Sequence, residues 1–301
     1  MNASRTPSAT LTSQAPDWRS WAILIVLSLI WGSSYILIKR GLEVYSSTQV
    51  ACLRLSISAL AFAPFLLYRL RRVDWSRWRF LLLVGLTGTA IPAFMFSIAQ
   101  TEISSSMAGV LNSLTPLFTL LLGMLLFSAP AAWAKVAGVL IGLAGAALLI
   151  VLGRSAGISG NPWYGLLVLV GCICYAISSN TVGKYLKDMS SLTISAASFC
   201  MVGLPAIAYL FTTDFAATLS HAPQAWAALG YIALLSLFGT VLASIIFFQL
   251  VQWTTPVFAS MISYIVPIVA LGWGAADGEA ITLVHLGGMA LILSGVYLVK
   301  R

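Results

Sequence analysis

The residues able to do chemistry in this sequence are sparse and set among apolar runs. Trp31, Tyr35 and Lys39 recur at i, i+4 and i+8, one stripe of a helix, with Ser34 beside them. Tyr175 and Ser179 repeat the i, i+4 spacing, with Ser178 and Asn180 adjacent. Asn112 and Ser113 precede Pro116, and Ser260, Ser263 and Tyr264 precede Pro267. Tyr and Trp offer a flat apolar surface with one donor, and Ser and Asn hydrogen-bond to carboxylates or amines. Such a set suits a cavity for a small amphipathic molecule, for instance an amino acid. The candidate substrate-binding residues are therefore Trp31, Ser34, Tyr35, Asn112, Tyr175, Ser179, Ser263 and Tyr264. Pro116 and Pro267 are candidate hinges, because proline frees a carbonyl and kinks a helix. Gly32, Ser33, Gly138 and Gly142 read as close-packing residues instead. Lys39 either snorkels to the headgroups or acts as a cation at an outer mouth. Arg54 lies about one turn into an apolar run and needs a partner that the sequence does not name.

The groups that are missing narrow the chemistry further. All eight acids fall in the tail, in loops or at the ends of apolar runs, and His221 and His285 sit near loops or ends. A carboxylate proton relay within the membrane therefore has no candidate, and a facilitator that moves substrate down its gradient is expected. No H-E-x-x-H, G-x-S-x-G or P-loop is present, so no catalytic residue and no enzyme activity is expected. The four cysteines, at 52, 172, 174 and 200, lie inside apolar runs. Cys172-x-Cys174 has no second pair and no nearby His, so it reads as two buried small side chains, and neither a metal nor a cofactor is expected.

These residues must be carried by membrane helices. The chain is 60% hydrophobic and only 8% charged, where a soluble domain carries roughly 25% charged residues. Its net charge of +8 is scattered in short clusters with no basic face, which argues against nucleic acid. Ten runs approach the roughly 20 apolar residues that cross a bilayer: 19–39, 49–69, 78–98, 104–127, 133–152, 162–183, 192–212, 225–249, 257–275 and 284–299. Residues 1–18 read as a disordered cytoplasmic tail without the features of a signal peptide. With the N-terminus inside, twelve of the sixteen Lys and Arg fall in cytoplasmic segments. Only Lys39, Arg40 and Arg154 fall outside, a bias that places both termini in the cytoplasm.

The runs repeat. "SSSMAGVLNSLTPLFTLL" at 104–121 matches "TPVFASMISYIVPIVALG" at 255–272 with an offset of 151, Pro116 on Pro267. "AGVLIGLAG" at 137–145 matches "GGMALILSG" at 287–295, and "WGSSYILIKR" matches "YAISSNTVGK" at an offset of 144. Two halves of five spans result, 19–153 and 154–301. Five is odd, so the second half enters the membrane from the opposite side. The expected fold is an all-α integral membrane protein of ten transmembrane helices, two inverted five-helix repeats around a central cavity, working by alternating access.

The segments "IWGSSYILIKRGLE", "LRLSISALAFAPFLL", "SSSMAGVLNSLTPLFTLLLGMLLF" and "SMISYIVPIVALGWGAADGEAITLVHLGGMALILSGVYLV", in this order, resemble the drug/metabolite transporter superfamily, specifically its ten-helix EamA-type group. The resemblance covers nearly all of the chain after the tail. It implies a multi-pass protein of the bacterial inner membrane that exports amino acids, other small metabolites or toxic compounds, with small-molecule substrate and lipid as its partners and one chain sufficient. Members of the group carry a Gly-Glu pair after the proline-bearing helix of each half. Gly278-Glu279 supplies it once, whereas the first half reads Ser128-Ala129-Pro130. A channel, a lipid flippase and a proton-coupled exporter remain open alternatives at this stage.

Overall fold

The computed structural model describes residues 17–127, 133–152 and 160–300. Among these the chain is helical throughout, with no strand. Eight helices are long and apolar enough to cross a membrane: α1 (Trp18–Leu42), α2 (Ser47–Arg72), α3 (Trp75–Ala99), α4 (Ser105–Leu126), α6 (Pro162–Tyr185), α7 (Ser191–Leu210), α8 (Ala225–Trp253) and α9 (Pro256–Ala276). Two further apolar helices complete the set, α5 (Trp133–Leu152) and α10 (Leu283–Lys300). Their apolar stretches within the described residues are shorter, Leu140–Leu152 and Leu283–Leu298. A short helix, Phe215–His221, occupies a segment whose sequence reads as loop. Residues 1–16, expected as a cytoplasmic tail, Ser128-Ala129-Pro130 and Arg154 lie outside the described residues.

Helix starts are fixed by side-chain caps, which satisfy backbone N–H groups that lack intrahelical partners. Asp17 accepts from Ser20 N at 2.9 Å, and Asn161 accepts from Trp163 N at 3.2 Å. Ser46 caps α2 in a box with Gln49, and Ser190 caps α7 by accepting from Thr193 N. Both pairs of caps are 144 positions apart. Ser104 and Thr255, 151 positions apart, cap α4 and α9 in the same way. Helical irregularities recur as well. A widened π-turn interrupts α3 at Leu86–Ala90 and α8 at Leu237–Leu242. A tight 3-10 turn interrupts α4 at Asn112–Leu114 and α9 at Met261–Tyr264, just before Pro116 and Pro267. Proline has no N–H to bond the carbonyl four residues back; after Pro116, the Asn112 carbonyl instead accepts from Thr115 Oγ1 at 2.8 Å.

The bundle is held by pairs that map onto each other when the halves are exchanged. α2 packs along α7, and α5 packs along α10. α1 packs on α8 and α9, while α6 packs on α3 and α4. The α5–α10 contact is close because Gly295 backs directly onto the Gly138 carbonyl and the Gly142 backbone, the small-residue approach that drives helix pairing in lipid. Buried apolar side chains such as Leu27, Leu55, Phe62, Leu81, Phe96 and Leu149 fill the space between helices.

Candidate functional site

A cavity of about 90 Å³ is walled by residues of α1, α2, α3, α4, α6, α8 and α9, several times the space one water requires. Trp31, Ser34, Tyr35, Asn112, Tyr175, Ser179 and Ser263 all stand on its wall. Tyr264 does not: the 3-10 turn presents Ser263 to the cavity and leaves Tyr264 half-buried against the core. Pro116 and Pro267 are off the wall, each opening the helical segment that follows its 3-10 turn. Gly32 and Ser33 turn away, Gly32 against Val266 and Val269 and Ser33 accepting from Trp273 Nε1 at 2.8 Å.

The π-turns build the wall. Trp31 Nε1 donates to the Gly239 carbonyl at 2.8 Å, inside the π-turn of α8, and the Trp31 ring packs on Phe247 at 5.1 Å. A Cβ on Gly239 would stand 2.8 Å from Ser34 Oγ, and one on Gly88 would stand 2.5 Å from Ser178 Oγ. Gly88 and Gly239 are 151 positions apart, and Ser34 and Ser178 are 144 apart. Each half thus lays a serine of its first helix on the π-turn glycine of the other half. Phe96 lies between Tyr35 and Tyr175, 5.9 Å from each ring, which gives the cavity a continuous aromatic side. Its polar side includes Ser178, whose buried hydroxyl has no partner among the described residues. Gly88, Phe96, Phe247, Phe248, Thr115 and Ser244 also line the cavity without any local mark in the sequence. The repeat could have found two of the pairs, since Phe96 meets Phe247 and Gly88 meets Gly239 at the offset of 151.

Arg54 joins the wall from α2, its Nε donating to Thr240 Oγ1 at 2.8 Å in the α8 π-turn. It lies about two turns into α2, deeper than the sequence reading places it.

Above one end of the cavity the loop after α9 closes the bundle. Gly278 has φ near +80°, a left-handed backbone that glycine adopts without strain. Glu279 N bonds the Gly274 carbonyl at 2.8 Å and Gly278 N bonds the Ala275 carbonyl at 3.2 Å, a Schellman ending. This turn aims Glu279 at the N-terminus of α4. Its Oε1 accepts from Ser105 N and Oγ at 3.1 and 2.8 Å, and its Oε2 from Ser106 N and Oγ at 3.0 and 2.6 Å. Lys39 Nζ reaches Glu279 Oε1 at 2.9 Å and Asp277 Oδ2 at 2.6 Å, and Arg40 also pairs with Asp277. Burial pushes the Glu279 carboxyl up, but the hydrogen bonds from Ser106, Lys39 and Ser105 outweigh it and bring it down to about 2. Lys39 is therefore engaged by two carboxylates, not held out as a free cation. A vestibule of about 500 Å³ beside the cluster is lined by Gln100, Glu102, Asp277, Glu279 and His285. At the opposite end Arg77 holds Asp188 through a bidentate pair at 2.5 and 2.8 Å. Among the described residues, no group of three or more His, Cys, Asp or Glu could hold a metal.

A bundle of membrane-length helices around a polar and aromatic cavity, with ion pairs closing its ends, defines a multi-pass membrane transport protein. The family model for EamA-like transporters matches residues 19–151 and again 162–301. The chain belongs to the EamA-like transporter family, and each half of it matches that model separately. It is 29% identical over 279 residues to the "Uncharacterized inner membrane transporter YedA" of Escherichia coli strain K12, covering 92% of this chain and 89% of that protein. It is 25% identical to an "Uncharacterized transporter" of Archaeoglobus fulgidus, covering 94% of this chain and 99% of that one. It is 24% identical to the "Probable terminal-alkyne amino-acid exporter" of Streptantibioticus cattleyicolor, covering 93% of each chain. A crystal structure that is 20% identical superposes with a TM-score of 0.63 over 93% of this chain and 96% of that one, which shows a shared fold.

Proposed function

We propose that the chain is a ten-span facilitative exporter of small amphipathic metabolites, most of all hydrophobic or aromatic amino acids, working by alternating access in a bacterial inner membrane. The observation that carries this reading is the central cavity, lined by both aromatic and hydroxyl-bearing side chains and walled by both halves of the chain. The aromatic rings suit an apolar side chain and the hydroxyls a zwitterionic head. Two inverted five-helix halves are supported by the recurring caps and turns and by the direction of the chain. α1 begins beside the start of α9, where Trp21 and Phe258 pack at 5.2 Å. α6 begins at the other end, where Asn161 N donates to Glu102 Oε2 at 3.2 Å beyond α3. The two Pro-interrupted helices, α4 and α9, pack on each other beside the cavity and are the elements whose freed carbonyls allow bending. The distribution of Lys and Arg supports an orientation with the Glu279 cluster outside and both termini in the cytoplasm. Facilitation is favoured because all eight acids lie outside the eight spans, leaving no membrane carboxylate to carry protons. One chain supplies the whole cavity wall, so a monomer suffices.

Counterflow in proteoliposomes tests this. Vesicles loaded with unlabelled phenylalanine, leucine or tryptophan should accumulate the labelled solute with no pH gradient present. Strict dependence on a pH gradient would remove facilitation, and linear flux that never saturates would remove the carrier reading altogether.

A further inference from the structure

Arg54 is nine-tenths buried at 9% exposure and lines the central cavity from α2. Burying a charge in a membrane protein is costly unless a partner or a water-filled cavity offsets it. The chain offers no carboxylate partner. All eight acids lie among the described residues, and each stands at a helix end or in a loop. Asp277 and Glu279 hold Lys39, with Arg40 also on Asp277; Asp74 and Asp188 hold Arg77; and Glu43 holds Arg40. Asp17 caps α1, Glu102 accepts from Asn161 N, and Asp214 stands at the start of the short helix Phe215–His221. Among the described residues no ion pair reaches Arg54.

The group is also positioned. Its Nε is fixed by Thr240 Oγ1 at 2.8 Å, and Thr240 is held by the Leu235 carbonyl at 3.3 Å across the π-turn. Tyr35 and Tyr175 stand on the same cavity. Counting from the capping serines Ser46 and Ser190, the equivalent residue of the other half is Ser198, fully buried with no partner for its hydroxyl among the described residues. The cation is thus a departure from the repeat, set in a cavity that both halves line.

We infer that Arg54 is the anion-binding residue of the central cavity and that the transported molecule supplies the missing counter-ion as a carboxylate. A guanidinium fork matches a planar carboxylate in two hydrogen bonds. The aromatic side formed by Tyr35, Phe96 and Tyr175 then receives the apolar part of the same molecule. This inference rests on the exporter reading and narrows its substrates to acids and zwitterions, excluding simple amines.

The test uses the purified full chain in detergent and in liposomes, with L-phenylalanine, 3-phenylpropionate, L-phenylalaninamide, phenethylamine and phenyl phosphate as probes. The two carboxylates should raise the melting temperature, and the amide and amine should not. Arg54→Gln should weaken carboxylate binding by at least about tenfold, the range of a charge-assisted hydrogen bond, with Arg54→Lys intermediate. If Arg54→Gln fails to fold, Thr240→Val keeps the charge but frees Nε and should weaken the carboxylates several-fold. Equal stabilisation by the amide or amine, tighter binding of phenyl phosphate, unchanged affinity in Arg54→Gln, or no carboxylate effect at all would each overturn the inference. Carboxylate binding without counterflow would instead refute the exporter reading, whereas counterflow of amines alone would leave that reading and remove the anion subsite.

Discussion

Replacing Glu279 by Gln should loosen the end of the bundle that the carboxylate closes. Glu279 joins three parts of the chain: the loop after α9, the N-terminus of α4 through Ser105 and Ser106, and α1 through Lys39. Its five partner groups are all donors, and a helix N-terminus favours negative charge. An amide can accept through one oxygen only, and its NH₂ would face donors. The carboxyl falls from 4.5 to about 2, and each unit is worth 1.36 kcal/mol, so the ionised form contributes on the order of 3 kcal/mol. A folded-state value below the unfolded one means that the stabilisation is complete above 4.5 and is lost as pH falls towards about 2. For a chain of this size the loss corresponds to roughly 6 °C in melting temperature. Thermal unfolding of purified wild type and Glu279→Gln should show that gap at pH 7, shrinking by roughly half by about pH 3. No gap at pH 7, or one as large at pH 3 as at pH 7, would refute the reasoning.

The remaining predictions concern the cavity wall. Gly239→Ala should lower the melting temperature because its Cβ would press on Ser34 Oγ, and Ser34→Ala in the same chain should recover that loss, since the Ser34 Cβ is 4.0 Å away; failure of the rescue would show that Gly239 matters for backbone reasons alone. Trp31→Phe leaves the Gly239 carbonyl without its indole donor, which should cost about 1 kcal/mol of stability and weaken substrate in a counterflow titration, whereas unchanged apparent affinity would remove Trp31 from the binding wall.

Much of the outline could be read from the chain because lipid imposes it. Apolar runs about as long as the bilayer is thick, with the acids kept out of them, mark the eight membrane-length helices before any packing is known. The matched prolines and the offsets of 151 and 144 locate segments whose caps and π-turns recur at those same spacings. Seven of the eight cavity residues named from type and spacing share one wall, because aromatic and hydroxyl groups at that depth are rare enough to stand out. Tyr264 is the exception, since a 3-10 turn has 3.0 residues per turn and rotates it away from the face that a regular helix would give it.

Tertiary structure alone decided the partners. Glu279 shows only as a residue after a glycine; that it reaches Ser105 and Ser106, more than 170 positions away, follows from the Schellman turn and the packing of α9 on α4. Lys39 stands out from the charge bias as an outside cation, yet it is neutralised by Asp277 and Glu279 from the far end of the chain. Arg54 is the sharpest case. The sequence shows a cation inside a membrane run, and only the assembled bundle shows that the run faces a cavity and that every acid is engaged or distant. Hydropathy and repeats are local or periodic properties, which the chain order records directly. Which polar groups meet across helices depends on rotation and depth, and those are fixed only when all the helices pack at once.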